Sequence, residues 1–206
     1  MTIIEPEVTL EWATPHAARM MERAARTCYK SQVCSTAAET DAFIERISLQ
    51  NGHESVIEHV VISTRWVIDR GVSHELVRHR IAAFSQESTR YVNYAKDRHG
   101  GGDIKFLLPV DLSPEKREFA VRSYETEERI YNEAISLGFS PQEARDFLPN
   151  GVKTELVMTV NAREARHILK LRTAQAAHPK MRVAARQFGW LCAEWLPVLF
   201  KPWSKT

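Results

Sequence analysis

The chain has 206 residues, 44% of them hydrophobic and 26% charged, so it is long enough to bury one sizeable core. Its formal net charge of +2 is too small to indicate a polyanion-binding protein, and no apolar run reaches membrane-spanning length. Three cysteines without metal-binding spacing, and an N-terminus without a signal pattern, predict free thiols and a cytoplasmic location.

Charge is distributed unevenly along the chain. Residues 1–60 contain nine acidic and five basic side chains, whereas Val160–Arg186 contains seven basic side chains and one glutamate. This asymmetry predicts one positively charged surface, which would face either a phosphate-bearing ligand or an acidic neighbouring subunit.

The first elements are predicted from alternation and helix signals. Glu7–Trp12 alternates polar and apolar residues and predicts a strand. Pro15 predicts the first turn of a helix reaching Tyr29. A second helix is predicted from Thr36 to Leu49, because Asn51-Gly52 is a stop signal.

Gly52–His59, with the sequence GHESVIEH, is a dense polar cluster before a strand. Histidine and carboxylate groups at close spacing can bind a divalent metal, although this is not the HExxH spacing of zinc enzymes. Helix capping and mutual hydrogen bonds explain the cluster equally well.

The next stretch, His59–Arg70, is rich in β-branched residues and predicts a strand that Gly71 ends. Ser73 is predicted to cap a short helix that continues through Arg78. On that helix Glu75 and His79 would lie one turn apart.

Arg78–Tyr91 contains the most informative motif, RHRIAAFSQESTRY. Its three arginines lie close to a serine and can make bidentate bonds to phosphate or carboxylate, which predicts an oxyanion ligand. A solvated surface or a nucleic-acid patch are the alternatives.

The second half of the chain begins with a polar loop, Tyr91–Asp103, in which Gly100–Gly102 predict mobility. Helices are predicted after Ser113-Pro114 and after Ser140-Pro141, the second ending at Leu148. Together with the strand and helices that follow, these elements predict a single α+β domain over residues 1–206, with a small, mainly antiparallel sheet.

Thr154–Val160 predicts a strand, and Asn161 with Glu164 predicts a capping box for the next helix. Arg163 and His167 would share one face of that helix, while Arg172 would lie about half a turn away. A last helix is predicted over Lys180–Leu196.

Five blocks in this order resemble the flavin-dependent thymidylate synthases. They are RAAR, GHExxxEH, RHR followed by seven residues and Ser, ARxxLP, and TVNAR. The family's fuller signature is RHRxxSxNExSxR, and this chain departs from it at Ala83, Ser85 and Gln86. Gln86 stands where the family has a glutamate that touches both flavin and nucleotide, so it keeps the length but not the charge.

The resemblance implies reductive methylation of dUMP to dTMP. Methylenetetrahydrofolate would be the carbon donor, FADH2 the hydride donor and NADPH the reductant. It further implies a homotetramer with active sites between subunits, no resident metal, and no nucleic-acid or membrane partner. No protein nucleophile would be needed, because Arg172 would stabilise negative charge that develops on the uracil ring.

The resemblance also assigns site residues. Those implied for cofactor binding are His53, Ser55, Glu58, Arg78, His79, Arg80, Ile81, Gln86, Asn161, Arg163 and His167. Those implied for dUMP binding are Glu75, Arg78, Gln86, Glu87, Ser88, Thr89, Arg90, Arg145 and the catalytic Arg172. Two competing functions stay open on the residues themselves: a nucleic-acid-binding module using Val160–Arg186, and a zinc hydrolase using His53, Glu58 and His59.

Overall fold

The structure, a computed structural model, describes residues 1–95 and 103–205. The strands are β1 (Thr2–Ile3), β2 (Glu7–Ala13), β3 (Val61–Asp69), β4 (Ala82–Gln86), β5 (Lys105–Phe106) and β6 (Lys153–Asn161). The α-helices are α1 (Ala17–Thr27), α2 (Ala37–Ile44), α3 (Arg70–Leu76), α4 (Pro114–Ser136), α5 (Pro141–Ala144), α6 (Ala162–Arg172), α7 (Pro179–Trp195) and α8 (Pro197–Phe200). Shorter segments are a π-helical turn, Glu45–Gln50, and the 3₁₀ helices Glu54–His59, Arg145–Phe147 and Lys201–Trp203. The predicted mobile glycines, Gly100–Gly102, lie outside the described residues.

One sheet has the strand order β2-β3-β6-β4, and β1 pairs with β5 in parallel. Strands β3 and β6 run antiparallel, because Ala162 N donates to Val60 O while Arg70 N donates to Val152 O. Along both strands the side chains alternate between buried and half-buried, as their sequence predicts. The predicted α+β fold with a small, mainly antiparallel sheet is confirmed.

Two compact units divide the chain. The first contains Met1–Glu7, Trp66–Arg78 and Ser85–Leu156, and the second contains Val8–Arg65, His79–Phe84 and Val157–Thr206. The core of the first unit includes Phe106 and Tyr131, both fully buried, and Phe106 stacks on Tyr124 with ring centroids 4.6 Å apart. In the second unit α6 packs against α7, and the fully buried side chains include Met21, Ile168 and Phe188.

A buried carboxylate holds together the segment around α1 in the second unit. Glu22 accepts hydrogen bonds from Arg26 Nε at 2.8 Å, Cys34 N at 2.6 Å and Thr40 Oγ1 at 2.8 Å. Burial alone would raise the pKa of Glu22, but the hydrogen bonds from Cys34, Arg26 and Thr40 outweigh it and lower the pKa to about 2. The chain after α1 is therefore tied to α1 and α2 by one ionised group.

Helix α3 corrects the predicted boundaries. Asp69, not Ser73, caps it, since the Asp69 side chain accepts from Val72 N at 2.8 Å. Gly71 therefore lies in the first turn, where a Cβ would come within 3.2 Å of the Asp69 carboxylate. The helix ends at Leu76, so Glu75 and His79 do not share a helical face.

Candidate active site

Helix α6 carries the central side chains of the second unit. Asn161 caps it by accepting a hydrogen bond from Glu164 N at 2.9 Å. The predicted capping box is only half formed, because the Glu164 carboxylate turns to His79, 85 residues away in the sequence. The cap thus leaves the glutamate side chain available for a long-range contact.

Three side chains form a hydrogen-bonded relay, Glu164–His79–Arg172. His79 Nδ1 lies 2.9 Å from Glu164 Oε1, and Arg172 Nε donates to His79 Nε2 at 3.0 Å. Since a guanidinium only donates, Nε2 must accept, and the ring proton must be on Nδ1, donated to Glu164. The relay therefore requires one tautomer of a neutral His79.

Burial matches this assignment. His79 is 6% exposed and Glu164 is 7% exposed. Burial lowers the pKa of His79 from its ordinary 6.5, and the nearby Arg172 charge lowers it further, while the hydrogen bond to Glu164 opposes both. His79 is thus neutral at pH 7. A cofactor contact through one of its ring nitrogens would have to displace an existing bond.

A cavity of about 720 Å³ lies beside the relay in the second unit. Its lining includes five residues predicted to bind the cofactor, namely Glu58, Ile81, Asn161, Arg163 and His167. Arg163 donates to Glu54 Oε2 at 3.1 Å and to Glu58 Oε1 at 2.6 Å, and all three side chains are about half exposed. The arginine that was predicted to bind the cofactor is therefore already hydrogen-bonded to two carboxylates.

A second cavity in this unit, of about 330 Å³, is lined by the predicted cofactor residues His53 and Ser55. Cys28 and Phe43 also line it. The structure thus places seven of the eleven predicted cofactor residues in two cavities, and Arg78, His79, Arg80 and Gln86 are not among the lining residues of either.

A metal interpretation of the relay is weakened by its hydrogen bonds. In the described part of the chain, His79, Glu164 and His167 are the group of three metal-ligating side chains whose ligand atoms all lie within 4.8 Å of one another. A cation on His79 Nδ1 would move the ring proton to Nε2, where it would face the N–H of Arg172. This group is also not the predicted zinc alternative, whose residues were His53, Glu58 and His59.

Comparison with known proteins gives the family. A family model described as thymidylate synthase complementing protein matches residues 9–198. A flavin-dependent thymidylate synthase of Geobacter sulfurreducens is 30% identical over 204 residues, covering 95% of this chain and 85% of the relative. The chain belongs to the flavin-dependent thymidylate synthase family.

Further relatives agree with this membership. A flavin-dependent thymidylate synthase of Thermococcus onnurineus is 36% identical over 144 residues, covering 67% of this chain and 57% of that relative. A crystal structure of the UMP/dUMP methylase PolB from Streptomyces cacaoi, bound with 5-Br dUMP, superposes with a TM-score of 0.81 at 23% identity. It covers 98% of this chain and 96% of the other. At that identity the likeness establishes the fold alone.

The family's predicted nucleotide residues lie mainly in the first unit. Gln86 Nε2 donates to Ser73 Oγ at 2.9 Å and to Thr154 Oγ1 at 3.1 Å. Since the Ser73 hydroxyl donates to Arg70 O, it must accept from Gln86, which fixes the amide orientation. An ionised glutamate, the family residue here, could not donate these bonds.

Glu87 is held inside the first unit. Its Oε1 accepts from Tyr94 Oη at 2.5 Å, and its Oε2 accepts from Lys153 Nζ at 2.9 Å and Glu155 N at 3.2 Å. Burial and the bond to Glu87 raise the pKa of Tyr94. Glu87, predicted to contact dUMP, thus anchors a local network.

The remaining predicted residues of the family motifs are placed as follows. Thr89 is buried, and Ser88 Oγ accepts from Arg90 N at 3.3 Å. Arg145 opens a 3₁₀ helix, is 43% exposed and lies 4.0 Å from Asp146 Oδ1. Arg78, Arg80 and Arg90 are exposed, and Glu75 is half-buried.

Sequence reasoning missed the role of Glu164, which it assigned to a helix cap. One signal was present, since Glu164 is the single acid among the seven basic residues of Val160–Arg186. That stretch is also less open to a polyanion than its charge suggested, because Arg163 binds carboxylates, Arg172 binds His79, and Arg166 and Arg182 donate to backbone carbonyls. No helix within residues 1–95 and 103–205 has the length and apolar composition to cross a membrane.

Proposed function

We propose that this chain catalyses the reductive methylation of dUMP to dTMP, with methylenetetrahydrofolate as carbon donor, FADH2 as hydride donor and NADPH as the reductant. The observation that carries the proposal is Arg172, held by the buried His79 in a member of the thymidylate synthase family. The relatives' names support the reaction class, and the Streptomyces methylase supports a uracil nucleotide as substrate.

The larger cavity supports the flavin. Its volume of about 720 Å³ lies within the range of cofactor sites, and its exposed cationic side chains Arg163 and Lys170 suit a pyrophosphate. Asn161 and His167 would hydrogen-bond the cofactor, with Ile81 against its apolar surface. When bound, the reduced flavin supplies the hydride. The exposed pairs of Arg163 with Glu54 and Glu58 are weak enough for a bidentate phosphate to displace them.

Arg172 would act on the substrate by electrostatics. The uracil C5 must become nucleophilic, which places negative charge on the ring nitrogen N3 and oxygen O2. A guanidinium directed at those atoms lowers the energy of that state without a covalent bond to the protein. The relay keeps Arg172 in place before the substrate arrives, so little reorganisation is needed.

The cysteines support a mechanism without a thiol nucleophile. Cys192 is fully buried, and burial raises the pKa of its thiol well above 9.0, which disfavours the thiolate. Among the described residues that line the larger cavity there is no cysteine.

Nucleotide binding completes the proposal. Ser88, Thr89, Arg90 and Arg145 would hold the phosphate, with Arg78, Glu75, Gln86 and Glu87 nearby in a homotetramer whose sites lie between subunits. Exposed apolar side chains on the edge strand β2 support an oligomer, since Leu10 is 50% exposed and Trp12 is 53% exposed. A single domain in the cytoplasm is part of the same proposal.

Two measurements on the purified protein test this function. A flavin absorption spectrum that NADPH bleaches, and dUMP-dependent release of tritium from C5-labelled dUMP with methylenetetrahydrofolate present, are the expected results. A protein that takes up no FAD, or that releases no tritium when loaded with FAD, would refute the proposal.

A further inference from the structure

Glu164 is buried in a position where helix capping does not explain its carboxylate. Asn161 already satisfies the start of α6, and the carboxylate instead contacts His79 at 2.9 Å. Burying a charge is costly unless it is paired and hydrogen-bonded, so this contact needs an energetic reason. The positive charge of Arg172, at the other end of the relay, offsets the cost of burying the Glu164 carboxylate.

The reason lies in the geometry of His79. Arg172 Nε can only donate, so it holds its place against His79 only while Nε2 carries no proton. Glu164, as an acceptor at Nδ1, stabilises the tautomer with the proton on that nitrogen. Without it, the proton can move to Nε2, where it would oppose the N–H of Arg172.

The relay also connects two ends of one helix. Glu164 and Arg172 both belong to α6, eight residues apart, about 12 Å of helical rise. His79 comes from the segment before β4 and bonds to both of them. His167 contacts the same ring edge-on, with centroids 5.6 Å apart, which restricts its rotation.

We propose that Glu164 is a positioning residue for the reaction: through His79 it fixes the direction in which Arg172 presents its guanidinium to the uracil ring. That Arg172 faces a uracil ring rests on the proposed function, whereas the coupling of Glu164 to Arg172 rests on the hydrogen bonds of His79 to both side chains. Glu164 is 7% exposed and also lines the larger cavity, but in this proposal it acts through its bond to His79 and not through a bond to substrate or cofactor.

Two variants of Glu164 test the proposal, with Glu39→Gln as a matched control. Glu164→Gln keeps an acceptor for Nδ1–H without the charge, and Glu164→Leu removes it. Glu39 is also the third residue of a helix and accepts from Ser35 N and Thr36 N, so its variant reproduces the loss of charge at a helix start. Urea unfolding identifies any variant that has lost its fold.

The first readout is independent of turnover. Nitrogen NMR of labelled histidine, on protein without substrate, should give an unprotonated Nε2 for His79 in the unaltered chain and in Glu39→Gln. In Glu164→Leu a protonated Nε2 should gain population, and the Arg172 Nε–H resonance should shift. An unchanged tautomer in folded Glu164→Leu would overturn the proposal.

The second readout is kinetic. Hydrogen-bond partners that orient metal-binding side chains matter by about 10- to 100-fold, and by analogy kcat for dTMP formation should fall by about tenfold or more in Glu164→Leu, and less in Glu164→Gln. Flavin affinity should stay within about twofold of the unaltered chain. Full turnover in Glu164→Leu would overturn the proposal. If the unaltered chain shows no turnover but the tautomer responds as expected, the proposed reaction fails and the coupling of Glu164 to Arg172 is supported.

Discussion

Arg172 and His79 are 93 residues apart in the sequence, yet Arg172 Nε donates to His79 Nε2 at 3.0 Å. The histidine is 6% exposed, so the guanidinium is held by a group that water does not readily reach. Because the acceptor nitrogen must be unprotonated, the orientation of the arginine depends on the protonation of the histidine.

Acidification should therefore disrupt this contact. The pKa of His79 is lowered below 6.5 in the folded protein, chiefly by burial. The unfolded chain takes up the proton first, so His79 contributes a loss of stability as the pH falls from about 6.5 towards its folded pKa. NMR titration of labelled histidine should show His79 titrating below 6.5. A His79 that titrates at or above 6.5 would contradict the neutral relay.

Gln86→Glu, which restores the family residue, should destabilise the protein. The amide donates to Ser73 and Thr154, and a carboxylate leaves the Ser73 oxygen without its donor, a cost of about 1–3 kcal/mol. Urea unfolding at pH 7.5 measures it, with Gln142→Glu on the exposed surface of α5 as the control. Equal stability of Gln86→Glu and the unaltered chain would show that the network does not depend on the amide.

Glu54→Gln should tighten flavin binding. Glu54 competes for Arg163 Nε, while Glu58 still holds the other end of the guanidinium. An exposed pair is weak, so its removal should lower the Kd for FAD by only about two- to fivefold. Flavin fluorescence titration measures the Kd. Glu11→Gln, which breaks the similarly exposed Glu11–Arg65 pair, should leave it unchanged. Weaker binding by Glu54→Gln would mean that the carboxylate positions Arg163 for the flavin.

Glu22 should control stability in acid. Its pKa is lowered from 4.5 to about 2, so the unfolded state binds the proton first, and stability should be lost as the pH falls from about 4.5 to about 2. Glu22→Gln should unfold more easily at pH 7 and show a smaller loss of stability over that window. Unfolding curves across pH measure this, with the exposed Glu118→Gln as the control. An unaltered pH dependence in Glu22→Gln would contradict the assigned role.

Local signals predicted most of the fold. Helix α4 begins at Pro114 with Ser113 as its cap, as the dipeptide indicates, and strands β3 and β6 follow their alternation. Where two residues could each cap a helix, the sequence does not show which one does so. Asp69 and Ser73 both suit a helix start, and in the structure Asp69 is the cap of α3. Strand β4 lies inside the arginine motif, and its sequence AAFSQ does not alternate between apolar and polar residues although its burial in the structure does.

The candidate site depends more on long-range contacts. The resemblance assigned Asn161, Arg163 and His167 to the cofactor, the capping signal placed them at one helix start, and the structure brings them to one cavity. The resemblance could not indicate that Arg163 would form ion pairs with Glu54 and Glu58, more than 100 residues away. Nor could it indicate that the Glu164 carboxylate would contact His79 instead of completing the capping box with Asn161. Helix periodicity gives the face of a residue but not its partner from another segment.

The most direct measurement is dTMP formation from dUMP, methylenetetrahydrofolate and NADPH by FAD-loaded Arg172→Ala, beside the unaltered chain. The unaltered chain should form dTMP, and Arg172→Ala should form none while retaining the flavin spectrum, because only the ring-directed charge is lost. Sustained dTMP formation by flavin-loaded Arg172→Ala would contradict the account.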